Sequence, residues 1–168
     1  AQDGTFKEYE DVTMTYDVWF KLEGTLPSNY TTDYAQYSYK FVDTLPAGLS
    51  FNNGTVKAYV LHATDLTTDI EASAYTVTSA GNTITVDFGN LKANPGLLAS
   101  DKIVVKYSAK LDGDAVIGGD GNINSVVLHY SNDPNQPASV ANPSMGKTSA
   151  DTAVVYTYRL DVTKVDGI

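Results

Sequence analysis

A chain of 168 residues, 42% hydrophobic and 18% charged, suits one domain with a proper core and excludes a disordered tail. Its net charge of −9 and pI near 4.4 argue against nucleic acid and anionic membrane surfaces, which need clustered Lys and Arg where this chain carries 11 scattered ones. With 0 cysteines it has neither disulfides nor thiolate metal sites, so its stability comes from the core or from some other cross-link.

Twelve tyrosines with abundant Thr and Val favour strands, where aromatic and β-branched side chains pack on a pleated surface. A short first strand is expected at about 5–9. From Val12 to Phe20 the residues Val12, Met14, Tyr16, Val18 and Phe20 form an apolar face against Thr13, Thr15 and Asp17, with Trp19 as an outward misfit. Tyr37, Tyr39 and Phe41 alternate with Ser38 and Lys40, and Leu45-Pro46-Ala47-Gly48 ends that strand. Further strands are predicted at about 55–62, 74–79, 83–89, 101–110, 124–131 and 152–163. The helix-like stretch Leu91–Ser100 is broken by Asn94-Pro95-Gly96, so at most one turn forms there. Residues 113–121 and 131–147 are rich in Gly, Asp, Pro and Asn and read as exposed loops.

Nine strands fit an all-β, immunoglobulin-like sandwich with extra strands inserted between D and E. In that order strand C ends at one pole with Asp43, and strand F, antiparallel to C, begins there with Asn124. Strand A carries Lys7 to the same pole. Parity places Asp43 on the face of Phe41 and Tyr39, and Asn124 on the face of Val126 and Leu128, so both polar groups point inward. Buried polar groups of this kind need one another. Each also has an ordinary reading: Asp43 as the cap of a turn, Asn124 as a loop residue, Lys7 as a solvated lysine. The strand pattern alone leaves both open.

Four segments carry a family resemblance: Gly-Thr-Leu-Pro-Ser-Asn-Tyr at 24–30, Tyr-Lys-Phe-Val-Asp-Thr-Leu-Pro-Ala-Gly-Leu at 39–49, Gly-Asn-Ile-Asn-Ser-Val-Val-Leu-His-Tyr-Ser-Asn-Asp-Pro at 121–134 and Tyr-Thr-Tyr-Arg-Leu-Asp-Val-Thr-Lys-Val-Asp at 156–166. Together they resemble the second domain of Gram-positive backbone pilins, an isopeptide-forming domain of the collagen-adhesin type. The resemblance implies a spontaneous amide between a lysine and an asparagine, promoted by a buried acid. It assigns the lysine to Lys7 and the acid to Asp43. For the asparagine it offers Asn122, Asn124 and Asn132. The pole argument favours Asn124, with Asn132 as the alternative, because Asn132 falls at the far end of strand F and Asn122 is expected to precede the strand and to be less buried.

The resemblance further implies an extracellular, cell-wall-anchored pilus, polymerised with neighbouring subunits by a sortase, with no cofactor and no turnover chemistry. The polymerising Tyr-Pro-Lys segment and the Leu-Pro-x-Thr-Gly sorting signal are not in this sequence. Residues 1–162 are expected to form the isopeptide domain and 163–168 to begin a linker or a next domain. A second reading is an adhesin that binds a host matrix protein or glycan on an aromatic platform of Trp19, Tyr30, Tyr34 and Tyr37. Asp112, Asp114 and Asp120 lack the spacing of a calcium loop and read as a solvated turn. With only His62 and His129, no Ser-His or Cys-His nucleophile system stands out.

Overall fold

The computed structural model describes residues 9–11, 17–62, 67–70, 74–94 and 96–157. They form two sheets packed face to face, antiparallel except for one parallel pair at the edge of the first. The first sheet runs β1 (Tyr9–Asp11), β12 (Asp151–Tyr156), β10 (Asn122–Ser131), β3 (Ser38–Thr44), β8 (Thr83–Asn90), β7 (Thr76–Ala80), with β11 (Met145–Lys147) also paired to β10. The second runs β2 (Asp17–Thr25), β9 (Lys102–Leu111), β5 (Lys57–Leu61), β6 (Thr67–Asp69), with β4 (Leu49–Phe51) also on β9. The β7–β8 hairpin is the expected insertion, and it extends the first sheet beyond β3.

The core lies where inward residues of the two sheets meet. Val18, Phe20 and Leu22 of β2, Tyr39 and Phe41 of β3, Ile84, Val86 and Phe88 of β8, and Ile103, Val105, Tyr107 and Ala109 of β9 are all buried. Aromatic rings knit it: Phe20 stacks on Tyr107 with centroids 5.2 Å apart, and Tyr39 meets Phe41 edge-on at 5.6 Å.

Several elements depart from expectation. β2 continues past Phe20 to Thr25, because Leu22 and Gly24 keep the inward parity. Gly24 looks like a turn residue but is a packing residue: a Cβ there would sit 2.1 Å from the Tyr39 hydroxyl oxygen. Tyr30–Asp33 forms a one-turn helix, α1, that periodicity did not predict, while Leu91–Ala93 makes the single 3-10 turn allowed before Pro95. The long 131–147 segment contains β11 and is pinned by Gln36, whose Nε2 donates to the carbonyls of Pro137 and Val140 at 2.9 and 3.2 Å. Residues 163–168, the expected junction, lie outside the described residues, as do 12–16 of the long strand.

Candidate functional site

β3 and β10 are neighbours in the first sheet, antiparallel, with Asp43 directly across from Val126 and Thr44 from Ser125. Asn124 therefore lies two residues from the Val126 position on the same face, diagonal to Asp43. Both point into the core, Asp43 at 1% and Asn124 at 3% exposure. The expected convergence of strand C's end and strand F's start is present. Lys7 lies outside the described residues.

A third group reaches the site from the opposite sheet. Tyr107 of β9 donates its hydroxyl to Asp43 Oδ2 at 2.6 Å, and Asn124 Nδ2 lies 3.5 Å from the same hydroxyl oxygen. The Tyr107 ring is seated by Phe20, and Phe51 meets it edge-on at 5.7 Å. Two acceptor atoms of this pair, Asp43 Oδ1 and Asn124 Oδ1, have no partner among the described residues. A native core rarely strands two adjacent buried acceptors, so the arrangement calls for a donor between or beside them.

Electrostatics agree with that need. Burial pushes the Asp43 carboxyl up to about 6, against the smaller opposing pull of the Tyr107 hydroxyl, the Asn124 amide and the Thr44 backbone. Burial foremost, then the Asp43 charge and the hydrogen bond to it, drives the Tyr107 phenol far above its ordinary range, so that proton stays on the phenol. The site thus holds an acid poised to be neutral beside an amide whose carbonyl is unoccupied.

The three asparagines separate cleanly. Asn122 is not a loop residue: it opens β10 and is 2% exposed, a correction to its expected position. Its amide is fully engaged, with Oδ1 accepting from the Val116 N–H at 2.8 Å and Nδ2 donating to the carbonyls of Val116 and Val155, both at 3.1 Å. It ties the 113–121 loop to the sheet. Asn132 is exposed beyond the far end of β10, where its Oδ1 accepts from Ser144 Oγ at 3.0 Å, so the structure does not bring it to Asp43.

The aromatic platform is also corrected. Tyr30 and Tyr37 are each 2% exposed and pack edge-to-face at 5.3 Å in the core, while Trp19 and Tyr34 are half-buried. Asp112 serves its own turn, accepting from the Asp114 N–H at 3.0 Å and from Ser50 Oγ at 2.7 Å. Among the described residues no cluster of acids and histidines is placed to hold a metal, and no helix is long and apolar enough to cross a membrane. Tyr107 was absent from the sequence expectation. Its signal was there in parity, as the one hydroxyl among inward Ile103, Val105, Ala109 and Leu111, and a buried hydroxyl needs a partner.

The fold is an immunoglobulin-like sandwich, and pilin subunits of known structure share it. The chain superposes on the pilus backbone RrgB of Streptococcus pneumoniae with a TM-score of 0.58 and 22% identity, over 74% of this chain and 27% of that one. It superposes on BcpA, the major pilin subunit of Bacillus cereus, with a TM-score of 0.63 and 15% identity, over 88% of this chain and 36% of that one. The collagen-binding subdomain of the Enterococcus faecalis surface protein ACE matches with a TM-score of 0.54 and 14% identity, over 88% and 93%. The chain thus spans about a third or less of the first two pilins' length. No family model and no curated protein matches the sequence.

Proposed function

We propose that this chain is a structural domain of a Gram-positive surface pilus, closed on itself by a single amide between Lys7 and Asn124 that Asp43 promotes. The observation that carries the reading is the pair of acceptors, Asp43 Oδ1 and Asn124 Oδ1, buried beside aromatic rings with no partner among the described residues. A neutral acid supplies one missing donor and an incoming amine supplies another. Lys7 precedes Tyr9 by two residues, and Tyr9 pairs with Val154, next to Ala153, the partner of Asn124.

The chemistry follows from burial. Burial shifts a lysine toward its neutral, nucleophilic form and an aspartate toward its protonated form. The amine nitrogen attacks Asn124 Cγ while Asp43 donates to its carbonyl oxygen. A proton from the amine then passes by way of Asp43 to Nδ2, the Cγ–Nδ2 bond breaks, and ammonia leaves. One C–N bond replaces another and Asp43 is restored. The event happens once per molecule, so the domain is no turnover enzyme.

The amide would close 124 − 7 = 117 residues of sequence separation. By analogy with a disulfide this is worth roughly 4–5 kcal/mol of stability through the unfolded state. Under tension the joined segment cannot extend, which suits a shaft subunit polymerised by a sortase on the cell wall, outside the cell. The test is intact mass: the folded chain lacks one ammonia relative to its sequence, and Lys7→Ala, Asp43→Ala and Asn124→Ala each restore the full mass. A wild-type chain at full mass overturns the cross-link.

A further inference from the structure

Lys7, Asp43 and Asn124 account for the bonds made and broken, yet the shortest side-chain hydrogen bond in the pocket belongs to Tyr107. This residue comes from the centre of the second sheet, where β9 is paired with β2, β4 and β5. It is 0% exposed, and its ring lies against Phe20 at 19° between planes. Its hydroxyl oxygen is therefore a fixed point that faces both reacting groups of the first sheet.

A phenol has one proton to give and lone pairs to receive. Given at 2.6 Å to Asp43 Oδ2, that proton excludes a second hydrogen from the same O···O gap. That leaves Oδ1, which has no partner among the described residues, as the open position for the proton of a neutral Asp43. The phenol's lone pairs meanwhile face Asn124 Nδ2, so the carboxamide is oriented with its nitrogen toward Tyr107 and its own Oδ1 away from it.

We propose that Tyr107 is a positioning residue for the Lys7–Asn124 reaction: its hydroxyl, held on Asp43 Oδ2 and facing Asn124 Nδ2, leaves Oδ1 to carry the acid's proton and fixes the orientation of the Asn124 carboxamide. The proposal rests on the cross-link reading above. No atom of Tyr107 enters the bond-making steps, and its proton stays on the phenol throughout. Among the described residues the groups that face Asp43 are Tyr107 from β9, Asn124 from β10 and the Thr44 backbone, while Lys7 lies outside them.

The experiment refolds full-length chains from denaturant over a pH series and follows ammonia loss by mass, comparing wild type with Tyr107→Phe, which keeps the ring. At about pH 5, where Asp43 is neutral in both, Tyr107→Phe is expected to cross-link roughly tenfold or more slowly. Its upper pH limb is expected to move to higher pH, because a donor that holds the Asp43 carboxyl down is gone. Equal rates and limbs overturn the role of Tyr107 and leave the cross-link standing. Slower reaction with an unmoved limb also overturns it, marking Tyr107 as core filling only. A wild-type chain that never loses ammonia overturns the cross-link and this role together. If Tyr107→Phe fails to fold, the Lys7→Ala chain decides: a downfield Tyr107 hydroxyl proton that shifts as Asp43 titrates is expected by NMR, and its absence contradicts the proposal.

Discussion

Asp43 and the three asparagines show how much a single buried side chain depends on its partners. Asn122 is saturated with three hydrogen bonds, so Asn122→Ala leaves backbone groups of Val116 and Val155 unpaired. That change should cost roughly 2–3 kcal/mol by denaturant melting while ammonia loss continues. Asn132→Ala, at an exposed position, should change neither. Asp43 carries its own pH signature, best seen in Lys7→Ala, where no amide can form. Its folded value of about 6 lies above the ordinary 3.8, so the folded state holds the proton more tightly. This contribution is fully present below the unfolded value and is lost as pH rises through the folded one. Lys7→Ala should therefore lose roughly 2–3 kcal/mol between acid and neutral pH relative to Lys7→Ala/Asp43→Asn, in paired denaturant melts. A flat difference between the two chains contradicts it.

At the scale of elements, β2 and β3 meet through Gly24 and Tyr39, and the buried Tyr39 hydroxyl has no partner among the described residues. Tyr39→Phe should be neutral or stabilising by up to about 1 kcal/mol. Gly24→Ala forces a methyl against that hydroxyl and against Leu128, and should cost roughly 1–3 kcal/mol. The cost should shrink in the Tyr39→Phe background, a coupling that a double-mutant cycle measures. Much at this scale was readable from alternation. The inward parity of Asp43 with Tyr39 and Phe41, and of Asn124 with Val126, set the site without any knowledge of contacts. What escaped were features without a period. α1 is one turn and has no amphipathic repeat, β4, β6 and β11 are three residues each, and Gly24 carries no sign of whether it bends the chain or admits a ring. Asn122 was hidden because Gly121, with φ at 72°, and its neighbours look like loop until the last residue before the strand. Tyrosine suits core and surface equally, so Tyr30 carried no directional signal. For Tyr37 the parity with Tyr39 was the better guide, and it pointed inward.

At the scale of the whole molecule, a sandwich without cysteines is held by core packing and strand pairing. The amide proposed between Lys7 and Asn124 would add a covalent tie to β10, so that tension on the ends could not extend the chain between them. The fold itself, shared with pilin and adhesin domains of low sequence identity, says little about function, and the site distinguishes the chain. A cross-linked chain pulled by its termini should extend by the length of the unjoined segments only, whereas Lys7→Ala should unravel fully. Proteolytic digestion followed by mass analysis of the peptides tests the central claim most directly. One branched peptide is expected, in which Lys7 is joined to Asn124 with the loss of one ammonia, and it is absent from Asp43→Ala. Recovery of unmodified linear peptides carrying Lys7 and Asn124 from the folded wild-type chain would contradict it.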